Sequence, residues 1–140
     1  ICHNWHLIAF LYLPLLCHGT SVNCVDRING YRATKSLPPL ARAVANEPCA
    51  NSESMEDART QEAHGSFGMC RERAQNACPN WPGPGERMVD ECLQAMWDEG
   101  PGEFPAHGHY ENMANANFTS VACGFVTQAD GTLWSVQNFY

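Results

Sequence analysis

The sequence predicts an α+β domain, with helices packed on an antiparallel sheet and disulfides fastening the two together. Three observations carry this. Met88, Val89, Cys92, Leu93, Met96 and Trp97 recur as i, i+1, i+4, i+5, i+8 and i+9, the apolar stripe of a one-faced helix. Near the C-terminus, Val121, Cys123 and Phe125 alternate with small residues, Trp134 and Val136 do the same, and Asp130-Gly131 between them marks a hairpin turn. Cys24, Cys49, Cys70, Cys78, Cys92 and Cys123 are widely spread with no Cys-x-x-Cys cluster, which reads as disulfides and not as a zinc finger.

Taken in order, Leu7 to Leu16 is an apolar run broken only by Pro14. It is too short to span a bilayer and suits the apolar segment of a signal peptide over residues 1–21, truncated at its start and cleaved near Gly19 or Ser21. The competing reading is a buried N-terminal helix. Removing Cys2 and Cys17 with the leader leaves the even set of six above. Residues 22–140 then form the mature domain. Its first helix is expected from Asn23, a capping residue with Asp26 three positions on and Val25, Ile28 and Tyr31 at helical spacing. Leu37-Pro38-Pro39-Leu40 ends it. Shorter helical stretches are expected at about 41–45 and 54–63.

Pro79 to Gly85 reads as a loop, after which the striped helix runs until Gly100-Pro101 stops it. A bridge between Cys78 and Cys92 would close that loop and contribute about 2–4 kcal/mol. The other pairings stay open.

Composition narrows the function. Eight Lys and Arg against 15 Asp and Glu give a net charge of −7, and no basic run is interleaved with aromatics, which argues against a nucleic-acid groove. The only expected membrane association is through the leader. No Gly-x-Ser-x-Gly elbow or phosphate-binding glycine loop is present, and a cysteine nucleophile is disfavoured because every mature cysteine can pair. Asn117-Phe118-Thr119 is a formal glycosylation sequon.

Gly108-His109-Tyr110, followed by the Ala122-Cys123-Gly124 strand, resembles the signature of the CAP superfamily of cysteine-rich secretory, antigen 5 and pathogenesis-related proteins. The resemblance extends over about residues 24–139. Asn29 and Arg32 match an Asn-x-x-Arg motif, although Ile28 stands where histidine is common, and Leu37-Pro38-Pro39-Leu40 matches the next segment. Ala63-His64-Gly65, Glu72-Arg73-Ala74-Gln75 and Met96-Trp97-Asp98-Glu99 match three more.

The resemblance implies a disulfide-bonded α-β-α sandwich, secretion, and a cleft where two His and two Glu converge. Carried over, these are His64, Glu72, Glu99 and His109, with Glu86 of Gly85-Glu86-Arg87 a rival for Glu72. His64, His109 and Glu99 would be the metal ligands, since imidazole with carboxylate suits zinc or another divalent cation at a site with an open position.

Glu99 also falls within the apolar stripe by helical spacing, so its carboxylate needs a partner or a cleft. The implied role is extracellular binding of a lipid, sterol or protein. A metal- or His/Glu-assisted extracellular hydrolase is the alternative, and a structural domain with an empty cleft is a third. The spacing His107-x-His109 is common by chance in loops, and Trp81, Trp97 and Trp134 read as packing residues.

Overall fold

The computed structural model of the chain describes residues 15–140, with side chains from Thr20 onward. Most of the expected leader lies outside the described residues. The first helix, α1, covers Leu15–Ala33 and so begins well ahead of Asn23, which is exposed in mid-helix and caps nothing. Tertiary anchoring overrides the cap signal here. Ser21 is buried with its hydroxyl donating to the Cys123 carbonyl, and Cys24 is bonded to Cys123.

The segment expected as a helix over 41–45 is instead a short strand, β1 (Ala41–Arg42), and a 3-10 turn, Val44–Asn46. The Asn29 side chain clamps Leu40, donating to its carbonyl at 2.9 Å and accepting from its N–H at 2.7 Å. That delivers Ala41 N to Thr119 O and Ala43 N to Val121 O, extending the chain. Helix α2 follows at Glu47–Thr60, earlier than the expected 54–63. Pro48 fits its first turn, where no N–H is needed, and left-handed Gln61 ends it.

Strand β2 (Ala74–Trp81) was not expected, because Gln75 and Asn76 are polar and Pro79 falls within it. The amphipathic helix is α3 (Gly85–Asp98), as its stripe predicts, and Gly100 takes the left-handed φ of 65° just beyond it. The Gly-His-Tyr segment opens a short helix, α4 (Gly108–Ala114). Strands β3 (Ser120–Thr127) and β4 (Leu133–Phe139) form the expected hairpin.

The sheet order is β1-β3-β4-β2, antiparallel except for the parallel β1–β3 pair, and β2 lies at an edge. Period-two alternation divides its faces. Val121, Cys123 and Phe139 point into the larger core with Ile28, Met88, Leu93 and Met96. Ala77, Ala122 and Val136 meet Ala50 of α2 on the other face. The resulting α-β-α layering is tight at Gly124, where a Cβ would lie 2.1 Å from the Ala50 carbonyl carbon.

Disulfides Cys24–Cys123 and Cys78–Cys92 bind α1 and α3 to the sheet, and Cys49–Cys70 binds the α2–β2 loop to α2. The expected Cys78–Cys92 bridge is among them. Trp134 is buried, and Trp97 packs between Tyr31 and Tyr110.

Candidate functional site

The site residues gather around edge strand β2, approaching it from both faces. On the α3–α4 side, His109 lies in the first turn of α4, with Glu99 just past the end of α3. Glu99 Oε1 lies 2.6 Å from His109 Nδ1, and Glu99 Oε2 accepts the backbone N–H groups of His109 at 3.1 Å and Tyr110 at 3.3 Å. One carboxylate thus satisfies open amides at the start of α4, where negative charge is favoured, and fixes the adjacent imidazole. This answers the demand for a partner raised by the position of Glu99 on the apolar stripe. Both of its oxygens are engaged within the protein.

Two polar side chains complete this side. Asn76 donates to the His109 carbonyl at 3.1 Å, and Asn112 donates to Asn76 Oδ1 at 2.9 Å. Arg32, 1 % exposed, donates to the carbonyls of Met113 and Asn115 at 2.9 Å each, placing a cation at the C-terminal end of α4. The Asn29 and Arg32 motif is therefore structural: one residue fixes the entry to β1, and the other holds the helix that carries His109.

On the α2 side, His64 sits in the α2–β2 loop with a left-handed φ of 64°. Its Nδ1 lies 2.8 Å from Gln75 Oε1. Gln75 Nε2 donates to Glu53 Oε2 at 3.1 Å and to Asn138 Oδ1 at 3.0 Å, which fixes the orientation of the amide. Gln75 Oε1 must then accept, so His64 Nδ1 carries the proton. Next to an anionic acceptor, His109 Nδ1 carries one too. In its neutral form each ring therefore keeps its lone pair on Nε2.

Glu72 is buried, and its Oε1 accepts the Gly68 N–H. It lies beside Glu53 of α2. Glu53, Cys70 and Glu72 offer atoms within 4.8 Å of one another, but the Cys70 sulfur is bonded to Cys49 and supplies no thiolate. Glu86 lies elsewhere. It is in the first turn of α3, about 20 Å along the helix from Glu99 by axial rise, and lines a groove with Asp26, Arg27 and Asp90. His107 is a structural residue, with Nδ1 2.7 Å from the Glu99 carbonyl and 3.0 Å from that of Gly100.

Sequence reasoning missed Glu53, Gln75, Asn76, Asn112 and Asn138. The one available signal was Gln75-Asn76, two consecutive polar residues at the end of the Glu72 segment.

A sequence model of the cysteine-rich secretory protein (CAP) family matches residues 25–139. The chain belongs to the CAP family. Among solved structures, this CAP domain resembles Na-ASP-1 with a TM-score of 0.63 at 12% identity, over 86% of this chain and 38% of that one. It resembles the hookworm platelet inhibitor with a TM-score of 0.60 at 12% identity, over 94% of this chain and 73% of that one. No curated protein matches the CAP domain in sequence at a significant level. The three disulfides among the described residues fit an extracellular protein.

Proposed function

We propose that this CAP domain is a secreted binding protein whose cleft holds a divalent cation, zinc foremost, on Nε2 of His64 and Nε2 of His109. The observation that carries the reading is the shared arrangement of the two rings: each Nδ1 is engaged by an acceptor, Gln75 Oε1 or Glu99 Oε1. A histidine ligand characteristically donates its other ring N–H to such a partner, which fixes the tautomer and raises ligand basicity. Glu99 then acts as a positioning residue through His109, and Glu72 supports the loop that carries His64. Water would complete the coordination, giving a weak and open site. A lipid, sterol or protein ligand engages the surface around it.

Calorimetric zinc titration tests this. Each of His64→Ala and His109→Ala should weaken binding more than tenfold, and unchanged affinity in both would refute the assignment. Protonated imidazole cannot ligate, so binding should also weaken in acid.

The second reading, an extracellular hydrolase, rests on the 2.6 Å Glu99–His109 pair, which has the geometry of an orienting carboxylate and a general base. Hydrolysis that survives both chelation and the double histidine variant would eliminate it.

A further inference from the structure

The metal reading leaves Glu53 and Glu72 without a chemical role, yet they are the least comfortable groups in the molecule. Glu53 is 0% exposed and Glu72 6%. Glu53 is well supplied with donors: Oε1 takes the Cys70 N–H at 3.2 Å, and Oε2 takes Gln75 Nε2 and Asn138 Nδ2, the latter at 2.6 Å. Glu72 Oε1 takes the Gly68 N–H, but its Oε2 is buried without a partner. The two carboxyls offer oxygens within 4.8 Å of each other.

Two buried carboxylates at this range cannot both stay charged without a counterion. The groups around them settle which counterion fits. Every hydrogen bond donated to them comes from an N–H group, which suits oxygen lone pairs and would repel a metal ion. Of the other titratable groups nearby, Tyr140 donates to the Cys70 carbonyl, Asp57 lies one turn along α2, and His64 is hydrogen-bonded to Gln75, which in turn donates to Glu53. No lysine or arginine is paired with either carboxyl among the described residues.

We propose that Glu53 and Glu72 bind a single proton between them, forming a carboxyl–carboxylate clasp that locks the 64–72 loop to α2 and opens as pH rises. The proton supplies the hydrogen bond that Glu72 Oε2 lacks. Burial, with Glu72 adding charge repulsion, pushes the Glu53 carboxyl up to about 7, against the opposing hydrogen bonds from Asn138 and Cys70. The folded state therefore holds a proton that the unfolded chain releases near the ordinary glutamate value of about 4.3. Stability from the clasp is present below that value, declines as pH rises to about 7, and is absent above. This sign is opposite to that of a salt-bridged carboxylate. The loop carries His64, but the clasp holds whether or not a metal binds there.

Carbon-13 NMR of the glutamate carboxyls, combined with thermal unfolding from pH 5 to 8, reads the clasp directly. In the wild type, one glutamate should titrate near pH 7 and the thermal midpoint should fall across that range. In Glu72→Gln, whose amide can donate permanently to Glu53, the near-neutral titration should vanish and the midpoint should change less with pH. Glu53→Gln, with the donor on the other side, should also lose the titration. Should Glu72→Gln fail to fold, the wild-type and Glu53→Gln spectra still decide. Ordinary acidic titration of every wild-type glutamate would overturn the proposal. So would calcium or zinc restoring wild-type stability at pH 8 but not that of Glu72→Gln, which would make the pair a cation site.

Discussion

Gln75 and Asn76 are neighbours on the edge strand whose side chains leave opposite faces, and each braces one of the two histidines. Gln75 holds the His64 ring through Nδ1, and Asn76 holds the backbone carbonyl of His109. The two halves of the proposed site are thereby set by the rigid pleat of one strand. A shift of one residue in strand register would send each side chain to the opposite face and leave one histidine facing an alanine, Ala74 or Ala77.

Glu99 should matter to cation binding without touching the cation. In Glu99→Gln the carboxylate's charge is lost at the start of α4, and His109 loses its anionic partner. Zinc affinity should fall about 10–100-fold, the range for lost outer-shell partners, and urea unfolding should show a loss of about 1.5–3 kcal/mol. Wild-type affinity in this variant would contradict the positioning role.

Gly124 should tolerate no side chain. A Cβ there would overlap the Ala50 backbone of α2, and main chain cannot step aside as a flexible side chain can. Gly124→Ala should cost about 3 kcal/mol, at the upper end for overpacking. Gly30, which has open space around it on α1, serves as the control. Its change to alanine should be neutral or slightly stabilising in the same denaturation series.

The disulfides should contribute unequally. Cys24–Cys123 closes a separation of 99 residues and Cys78–Cys92 one of 14. Chain entropy assigns about 4.7 and about 3 kcal/mol to loops of these sizes. Paired Cys→Ser variants compared by chemical denaturation should therefore lose more at the Cys24–Cys123 bridge. The reverse order would show that local packing, not chain entropy, dominates.

Asn117 should accept a glycan when the chain passes through a eukaryotic secretory pathway. It is exposed in a turn, and Thr119 two positions on is exposed as well. Phe118 between them turns inward to stack on Phe139 at 5.6 Å. Endoglycosidase treatment should reduce the apparent mass of the secreted wild type and leave that of Asn117→Gln unchanged. An insensitive wild type would refute the assignment.

Much of this molecule is local in origin and could be read directly. The stripe from Met88 to Trp97, the hairpin around Asp130-Gly131 and the Cys78–Cys92 bridge each depend on spacing within a short segment. So does the partnering of Glu99, since an acidic residue on an apolar stripe must be answered somewhere. What only the tertiary structure decided depends on residues far apart in sequence.

Helix α1 starts early because Ser21 and Cys24 are fastened to Cys123. Ala41 extends because Asn29 and Thr119 take its neighbourhood out of helical geometry. Strand β2 hides its pattern because Gln75 and Asn76 are buried through hydrogen bonds to residues on other elements and not through apolarity. The separate surroundings of Glu72 and Glu86 follow the same logic: two Glu-Arg pairs look alike in sequence, but one is folded under α2 beside Glu53 and the other stands exposed at the far end of α3. Hydrophobic periodicity records which face is dry. It carries no record of which buried polar groups satisfy one another, because those bonds exist only once the chain has closed.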